Sequence, residues 1–123
     1  MPYEVSFDES DGIVSVRVSG TASKDDHFAA REKAFRLCKK HGCMKVVVDL
    51  RELNTEGLST AGCFSFGEAV AEALPSVRLA HVMPALARAR ADVRFTSTVE
   101  SNRGSATREF DTLGEARAWL LGQ

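Results

Sequence analysis

The chain has 123 residues, 44% of them hydrophobic and 27% charged, which is a composition typical of a single globular domain. Its 16 basic and 17 acidic residues leave a net charge of −1, so no overall charge attracts nucleic acid or an anionic membrane. No apolar run approaches the roughly 20 residues of a membrane-spanning helix, and the acidic, alternating start MPYEVSFDES does not resemble a signal peptide.

The opening of the chain alternates apolar and polar residues in two runs, at 3–7 and 13–20, with the turn-forming segment DESDG at 8–12 between them. Alternation with a period of two is typical of half-buried strands. Because turn residues separate the two runs, we expect an antiparallel hairpin.

A first helix is predicted over residues 24–41. Ser23 stands in the N-cap position with Asp26 three residues later, as in a capping box, and Gly42 supplies a left-handed stop. The predicted apolar stripe of this helix comprises Phe28, Ala34, Phe35 and Cys38.

The middle of the chain predicts two buried strands joined by a helix. The continuous β-branched run MKVVVDL at 44–50 favours a central strand covered on both faces, and VRLAHVM at 77–83 favours another. A helix is predicted within 59–74 and is ended by Pro75. Its apolar stripe is predicted to contain Phe66, Val70 and Leu74.

Residues 84–103 combine β-rich propensity with helical spacing, and we predict a helix there. Asp92 is its expected N-cap, Phe95 and Val99 share its apolar face, and Gly104 follows its end.

The end of the chain predicts a short strand at 106–110 and a final helix. Thr112 and Glu115 form a capping box for this helix, which is expected to bury Leu113, Ala116, Trp119 and Leu120. The element order is therefore β-β-α-β-α-β-α-β-α, which indicates an α/β fold with a mixed, mostly parallel sheet after an antiparallel hairpin.

Polar side chains gather where the central strand ends. Asp49 ends the strand and either faces a ligand at the sheet edge or pairs with Arg51. Ser59 and Thr60 follow a polar loop, where their hydroxyls either cap the next helix, accept a phosphate or face a ligand. We predict that one of them caps the helix and that neither is a strong phosphoacceptor.

The other candidate catalytic and binding residues are better explained by structural roles. His81 lies mid-strand without an evident nucleophile or orienting acid, so no catalytic residue is predicted. Residues 78–108 contain six arginines but only two acidic residues, Asp92 and Glu100. A solvated surface explains this basic excess better than nucleic-acid binding.

The cysteines, Cys38, Cys43 and Cys63, are odd in number and form no CxxC pair, which favours reduced thiols in a cytoplasm. Cys38, His41 and Cys43 lie close together in the sequence, but their spacing matches no familiar zinc site. We expect no metal and no cofactor.

The element order and several segments resemble the STAS domain family, and within it the SpoIIAA-like branch. The segments are VVVDLREL at 46–53, LSTAGCFSFGEAVA at 58–71, SNRG at 101–104 and REFDTLGEARAWL at 108–120. The phosphorylated members carry an Asp-Ser-Ser-Gly-like box where this chain has LSTAG, with Leu58 in place of the Asp. This departure argues against phosphorylation by a dedicated kinase.

The resemblance implies one STAS-like domain over residues 1–123 that acts as a non-enzymatic, cytoplasmic regulatory module. Its partner would be a protein, as for anti-sigma-factor antagonists, or a second copy of the chain. Structural kinship to CRAL-TRIO domains implies the alternative, a carrier or sensor of a small apolar or anionic ligand. The predicted binding surface contains Asp49, Ser59, Thr60 and Phe64. A cavity of roughly 300 Å³ or more lined by Phe64, Phe66 and Val70 would favour the ligand.

Overall fold

The computed structural model describes residues 2–73 and 76–122. These ranges contain five strands and four helices in the predicted order, so the predicted α/β class is confirmed. No helix in the two described ranges is long and apolar enough to cross a bilayer. The elements are β1 (Tyr3–Asp8), β2 (Ile13–Val18), α1 (Lys24–His41), β3 (Lys45–Asp49), α2 (Thr60–Ala73), β4 (Arg78–Val82), α3 (Ala87–Asn102), β5 (Ala106–Phe110) and α4 (Leu113–Leu120).

The strands form one mixed sheet in the order β1-β2-β3-β4-β5. β1 and β2 are antiparallel, and the pairs from β2 to β5 are parallel. Each parallel strand is added on the same side of the one before it, so right-handed crossovers place α1, α2 and α3 on one face of the sheet. α4 packs on the opposite face, against β3, β4 and β5.

Buried apolar side chains fill both faces of the sheet. On the face of the three crossover helices, Val14, Val46 and Leu79 pack with small residues of α1. On the opposite face, Val47 and Ala80 pack against Ala116 and Leu120 of α4. β3 is therefore covered on both sides, as its continuous run of valines predicts.

The first helix has the predicted ends. The Ser23 hydroxyl accepts a hydrogen bond from the Asp26 amide at 3.1 Å, and the Asp26 carboxylate accepts one from the Ser23 amide at 2.9 Å. Gly42 has a φ of 60°, the left-handed conformation that a C-cap glycine adopts without a steric penalty.

The third helix is confirmed, and so is the burial of Val99, but the predicted N-cap and the predicted burial of Phe95 are wrong. The helix begins at Ala87 with the apolar Leu86 at its N-cap position, so Asp92 lies inside it. Phe95 is 38% exposed, whereas Ala89, Val93 and Ser97 are buried together with Val99. Phe95 thus lies outside the buried stripe, which is centred on Ala89 and Val93 and has Val99 at its edge.

α2 lies between α1 and α3 and packs principally against these two helices. A Cβ atom added at Gly67 would lie 3.0 Å from the Val99 side chain, so glycine permits the close approach of α2 and α3. The expectations for Leu74 and Pro75 at the end of α2 lie outside the described residues.

Candidate functional site

Ser59 caps α2, whereas its neighbour Thr60 is the first helical residue. The Ser59 hydroxyl accepts a hydrogen bond from the Gly62 amide at 2.9 Å, which satisfies a backbone donor in the first turn of the helix. Thr60 is exposed to solvent. One of the two hydroxyls therefore has the structural role that the sequence predicted.

Asp49 pairs with Arg51. Its carboxylate accepts hydrogen bonds from the Arg51 guanidinium at 2.9 and 2.8 Å and from the Arg51 amide at 3.2 Å. The hydrogen bond from the Arg51 side chain is the main reason that the pKa of Asp49 is lowered. Of the two interpretations of Asp49, contact with a ligand or pairing with Arg51, the structure supports pairing with Arg51.

A cavity of about 150 Å³ lies beneath the start of α2 and opens to the surface. The loop from β3 to α2 contributes Leu53 and Leu58, and α1, α2 and α3 contribute Phe28, Phe66 and Val93, respectively. The carboxyl end of the sheet forms the adjoining wall, as expected for ligand sites in open α/β sheets. The cavity is smaller than the roughly 300 Å³ of a drug-sized ligand site, and neither Phe64 nor Val70 lines it, so the predicted condition for such a ligand is not met.

Aromatic rings form the side of the cavity between α1 and α2. The Phe28 and Phe66 rings meet edge to face with centroids 5.3 Å apart, and the His27 ring lies 5.7 Å from Phe66. Phe64 does not line the cavity, because residues 64 and 66 lie about 200° apart around a helix. Its ring is 40% exposed, and Cys63 occupies the lining position instead.

Three buried polar atoms of the cavity lining have no hydrogen-bond partner within residues 2–73 and 76–122. They are His27 Nε2, Thr55 Oγ1 and Asp92 Oδ2. Thr55 as a whole is only 2% exposed. Burial lowers the pKa of His27 below its ordinary value, so its imidazole is mostly neutral at pH 7. All three atoms are inaccessible to solvent although the cavity is open, so they are covered by protein atoms and do not face the open space.

A second, smaller void of about 60 Å³ lies deeper, between α1 and the sheet. His27, Leu50, Phe66 and His81 line both spaces, so these four side chains form the partition between them. Glu100 lines the deeper void and is 1% exposed.

The structure places a hydroxyl and a carboxyl group beside His81, which sequence reasoning did not find. His81 Nδ1 lies 2.7 Å from Ser97 Oγ, and His81 Nε2 lies 3.5 Å from Glu100 Oε1. Burial lowers the pKa of His81 to about 4 and raises the pKa of Glu100 to about 8. At pH 7 both groups are therefore neutral, and their contact is not a salt bridge.

This arrangement differs from a catalytic triad in its electrostatics. The acid of a triad is ionised and stabilises the imidazolium that forms when the histidine takes the proton of the nucleophile. Here Glu100 is protonated and His81 is a weak base. Ser97 is itself buried within α3.

The arginines of residues 78–108 are largely engaged with neighbouring groups. Arg90 pairs with Asp111, Arg94 with Glu109, and Arg103 with Glu68. The Arg78 guanidinium lies 4.2 Å from the centre of the Trp119 ring. These contacts leave little free positive charge for a phosphate backbone.

Cys38, Cys43 and Cys63 are free and buried. Burial raises the pKa of Cys38 to about 12, and Cys43 donates through its sulfur to the Gly12 and Lys45 carbonyl oxygens. In the described part of the chain, no group of three or more His, Cys, Asp or Glu side chains is arranged to hold a metal ion. The chain matches no protein-family model and no curated protein.

Proposed function

We propose that this chain is a non-enzymatic regulatory module that binds a small, largely apolar molecule in the cavity beneath α2. One observation carries the proposal. The cavity opens to the surface and is walled mainly by apolar and aromatic side chains, with a few polar residues such as His27, Ser59 and Thr96 among them. Apolar walls with a few polar groups are typical of ligand sites.

The volume limits the ligand to about the size of one aromatic ring. An engineered apolar cavity of about 150 Å³ in another protein binds benzene, and the cavity here has the same volume. Long acyl chains and nucleotides would require α2 to move away from the sheet. The module is accordingly proposed as a sensor of a small molecule.

The state of the His81 cluster supports a non-enzymatic role. Ser97 and Glu100 do not line the cavity beneath α2, and His81 is a weak base, so the cluster presents no paired acid and base to a ligand there. The resemblance to STAS domains supports the same role.

The proposal is tested by filling the cavity. Cys63→Phe places a ring in the space beneath α2, and we expect it to abolish binding of benzene, measured as chemical-shift changes in the NMR spectrum. Phe64→Ala, at the next position, is the matched control because it changes only the exposed side of α2 and should leave benzene binding intact. Failure of the native chain to bind benzene, or unchanged binding by Cys63→Phe, would contradict the proposal.

A second candidate function, a protein-interaction module, is favoured by the outer side of α2. Phe64 is 40% exposed and lies beside the exposed, uncharged Thr60 and Ala61. An exposed aromatic ring in such a setting is typical of contact surfaces. Because the resemblance also favours a homodimer, a second copy of the chain is the partner proposed here.

Sedimentation tests this self-association. At a protein concentration of about 50 micromolar, a dimer with a binding free energy of about −6 kcal/mol or stronger is detected. We expect the native chain to sediment as a dimer at this concentration and Phe64→Ala as a monomer. The cavity variant Cys63→Phe is the control and should remain dimeric. A monomeric native chain would remove the homodimer from consideration.

A further inference from the structure

We infer that the deeper void is a second compartment of the ligand site, and that the ligand is an aromatic ring with a short, unbranched alkyl tail. The ring occupies the outer cavity beneath α2, and the tail enters the void between α1 and the sheet. This inference rests on the proposed function and adds the chemical class of the ligand.

The two spaces are separated by side chains alone. The outer cavity has a volume of about 150 Å³ and the deeper void one of about 60 Å³. His27, Leu50, Phe66 and His81 line both. A ligand in the outer cavity therefore reaches the deeper void by displacing side chains of this partition.

Two members of the partition are held in place and two can rotate. Leu50 is only 6% exposed, and His81 Nδ1 lies 2.7 Å from Ser97 Oγ. His27 and Phe66, in contrast, are only partly buried, and their rings face each other from α1 and α2 with centres 5.7 Å apart. Aromatic residues on helices adopt two common χ1 rotamers. Rotation of Phe66 thus opens the partition while the backbone stays in place.

The walls of the deeper void suit an alkyl chain. Val16, Val46 and Leu79 of the sheet line it, together with Ala30 and Ala34 of α1. All five are buried, and an apolar cavity of this kind stays dry and accepts apolar groups.

The polar side chains around the deeper void do not favour an ionised tail. Burial raises the pKa of Glu100 to about 8 and lowers the pKa of His81 to about 4, so both are neutral at pH 7. The Arg31 guanidinium lies 3.6 Å from the Glu32 carboxylate and 5.6 Å from the centre of the Phe28 ring, so its charge already has partners. An ionised tail would lose its hydration for little electrostatic gain.

The volume of the deeper void limits the length of the tail. A cavity of about 150 Å³ accepts the six carbons of benzene, so on the same scale the 60 Å³ of this void accept about two or three carbons. An unbranched chain has the smallest cross-section and passes the partition with the least displacement. The ring itself packs against Phe28, which lines the outer cavity.

The test compares benzene, ethylbenzene, propylbenzene and pentylbenzene as probes of the native chain. Affinities are measured by NMR titration at pH 7. We expect the affinity to rise about threefold to fourfold with each carbon from benzene to propylbenzene, the effect of burying a methylene group. Pentylbenzene should bind no more tightly than propylbenzene, because its tail exceeds the void.

Ala30→Val adds two methyl groups to the wall of the deeper void. We expect it to bring the affinities for propylbenzene and benzene within a factor of about two. Ala29→Val is the matched control, because it makes the same change at the next position of α1, which lines neither space. It should keep the native preference for propylbenzene.

A second measurement on the native chain locates the tail directly, even if Ala30→Val fails to fold. The terminal methyl group of bound propylbenzene should show nuclear Overhauser effects to the methyl groups of Ala30 and Ala34, which line the deeper void but not the outer cavity.

The outcomes separate the second compartment from the proposed function. Binding of benzene without a gain for propylbenzene, a gain that continues to pentylbenzene, or the absence of Overhauser effects to Ala30 and Ala34 would overturn the inference and leave a one-ring site standing. Failure of all four probes to bind would overturn the proposed function itself.

Discussion

Ser59 and Thr60 carry adjacent hydroxyls in different roles. The Ser59 hydroxyl caps α2, while Thr60 points its side chain into solvent from the first turn. The sequence predicted a cap at this pair because helix N-terminal amides need an oxygen acceptor. It did not decide between the two residues, since that choice depends on where the loop enters the first turn.

Replacing Ser59 measures how much its hydroxyl cap contributes to stability. Ser59→Ala should lower the free energy of unfolding by about 1 kcal/mol, the usual contribution of a hydroxyl cap, as measured by urea denaturation. Thr60→Ala is the control and should have a much smaller effect. Ser59→Asp should retain most of the stability, because a carboxylate also caps the helix and complements its dipole. Equal losses for Ser59→Ala and Thr60→Ala would contradict this assignment.

The residues of the cavity were only partly predictable. The stripe that contains Phe66 and Val70 also includes position 63 and excludes position 64, so helical spacing alone contained the signal that Phe64 faces outward. His27, Thr55 and Asp92 come from three separate elements that no sequence motif connects. The sequence favoured a structural role for His81, but the groups beside it lie on α3, whose rotation the sequence did not determine.

Most elements could be predicted from the sequence because their signals are local. The capping box of α1, the glycine after it and the valines of β3 act within a few residues, and these elements appear where they were expected. The exception is the N-terminus of α3. It has no capping side chain, and the helix as a whole packs against α2 and β5.

The contact of α2 with α3 depends on Gly67. Gly67→Ala would bring a methyl group to 3.0 Å from Val99 and 3.1 Å from the Thr96 carbonyl oxygen. We expect this overpacking to outweigh the better helix propensity of alanine and to lower the unfolding free energy by about 1–2 kcal/mol. A shift of the urea midpoint measures the effect.

Gly114→Ala is the matched control, because this helical glycine has open space where a Cβ would be placed. It should leave stability unchanged or raise it slightly. Stabilisation by Gly67→Ala would show that α2 and α3 can separate without cost.

The stability of the whole molecule is expected to depend on pH through His81 and Glu100. Burial raises the pKa of Glu100 from 4.5 to about 8, so between these values the folded chain binds a proton that the unfolded chain has lost. Stability therefore falls as pH rises through this range. Burial lowers the pKa of His81 from 6.5 to about 4, so its contribution rises with pH between these values. These two contributions oppose each other below pH 6.5, and of the two only the loss from Glu100 remains above it.

Glu100→Gln should remove the loss of stability above pH 6.5. In the native chain, we expect the unfolding free energy to fall by roughly 2 kcal/mol between pH 6.5 and 8 because of Glu100. In Glu100→Gln this slope should vanish, as measured by urea denaturation across that range. Glu109→Gln, on the edge strand β5, serves as the control and should keep the native slope. A native chain whose stability is constant from pH 6.5 to 8 would contradict the prediction.

The order of the strands in the sheet is also their order along the chain. A polypeptide emerging from the ribosome could therefore add each new strand beside one already in place, without threading between strands formed earlier. The two ends of the chain are joined through α4. Its Arg117 guanidinium lies 2.6 Å from both the Asp8 and Asp11 carboxylates, at the turn of the first hairpin. If the sheet forms in this order during synthesis, the last contact to form is the ion pairing of Arg117 with Asp8 and Asp11, which joins the last helix to the first hairpin.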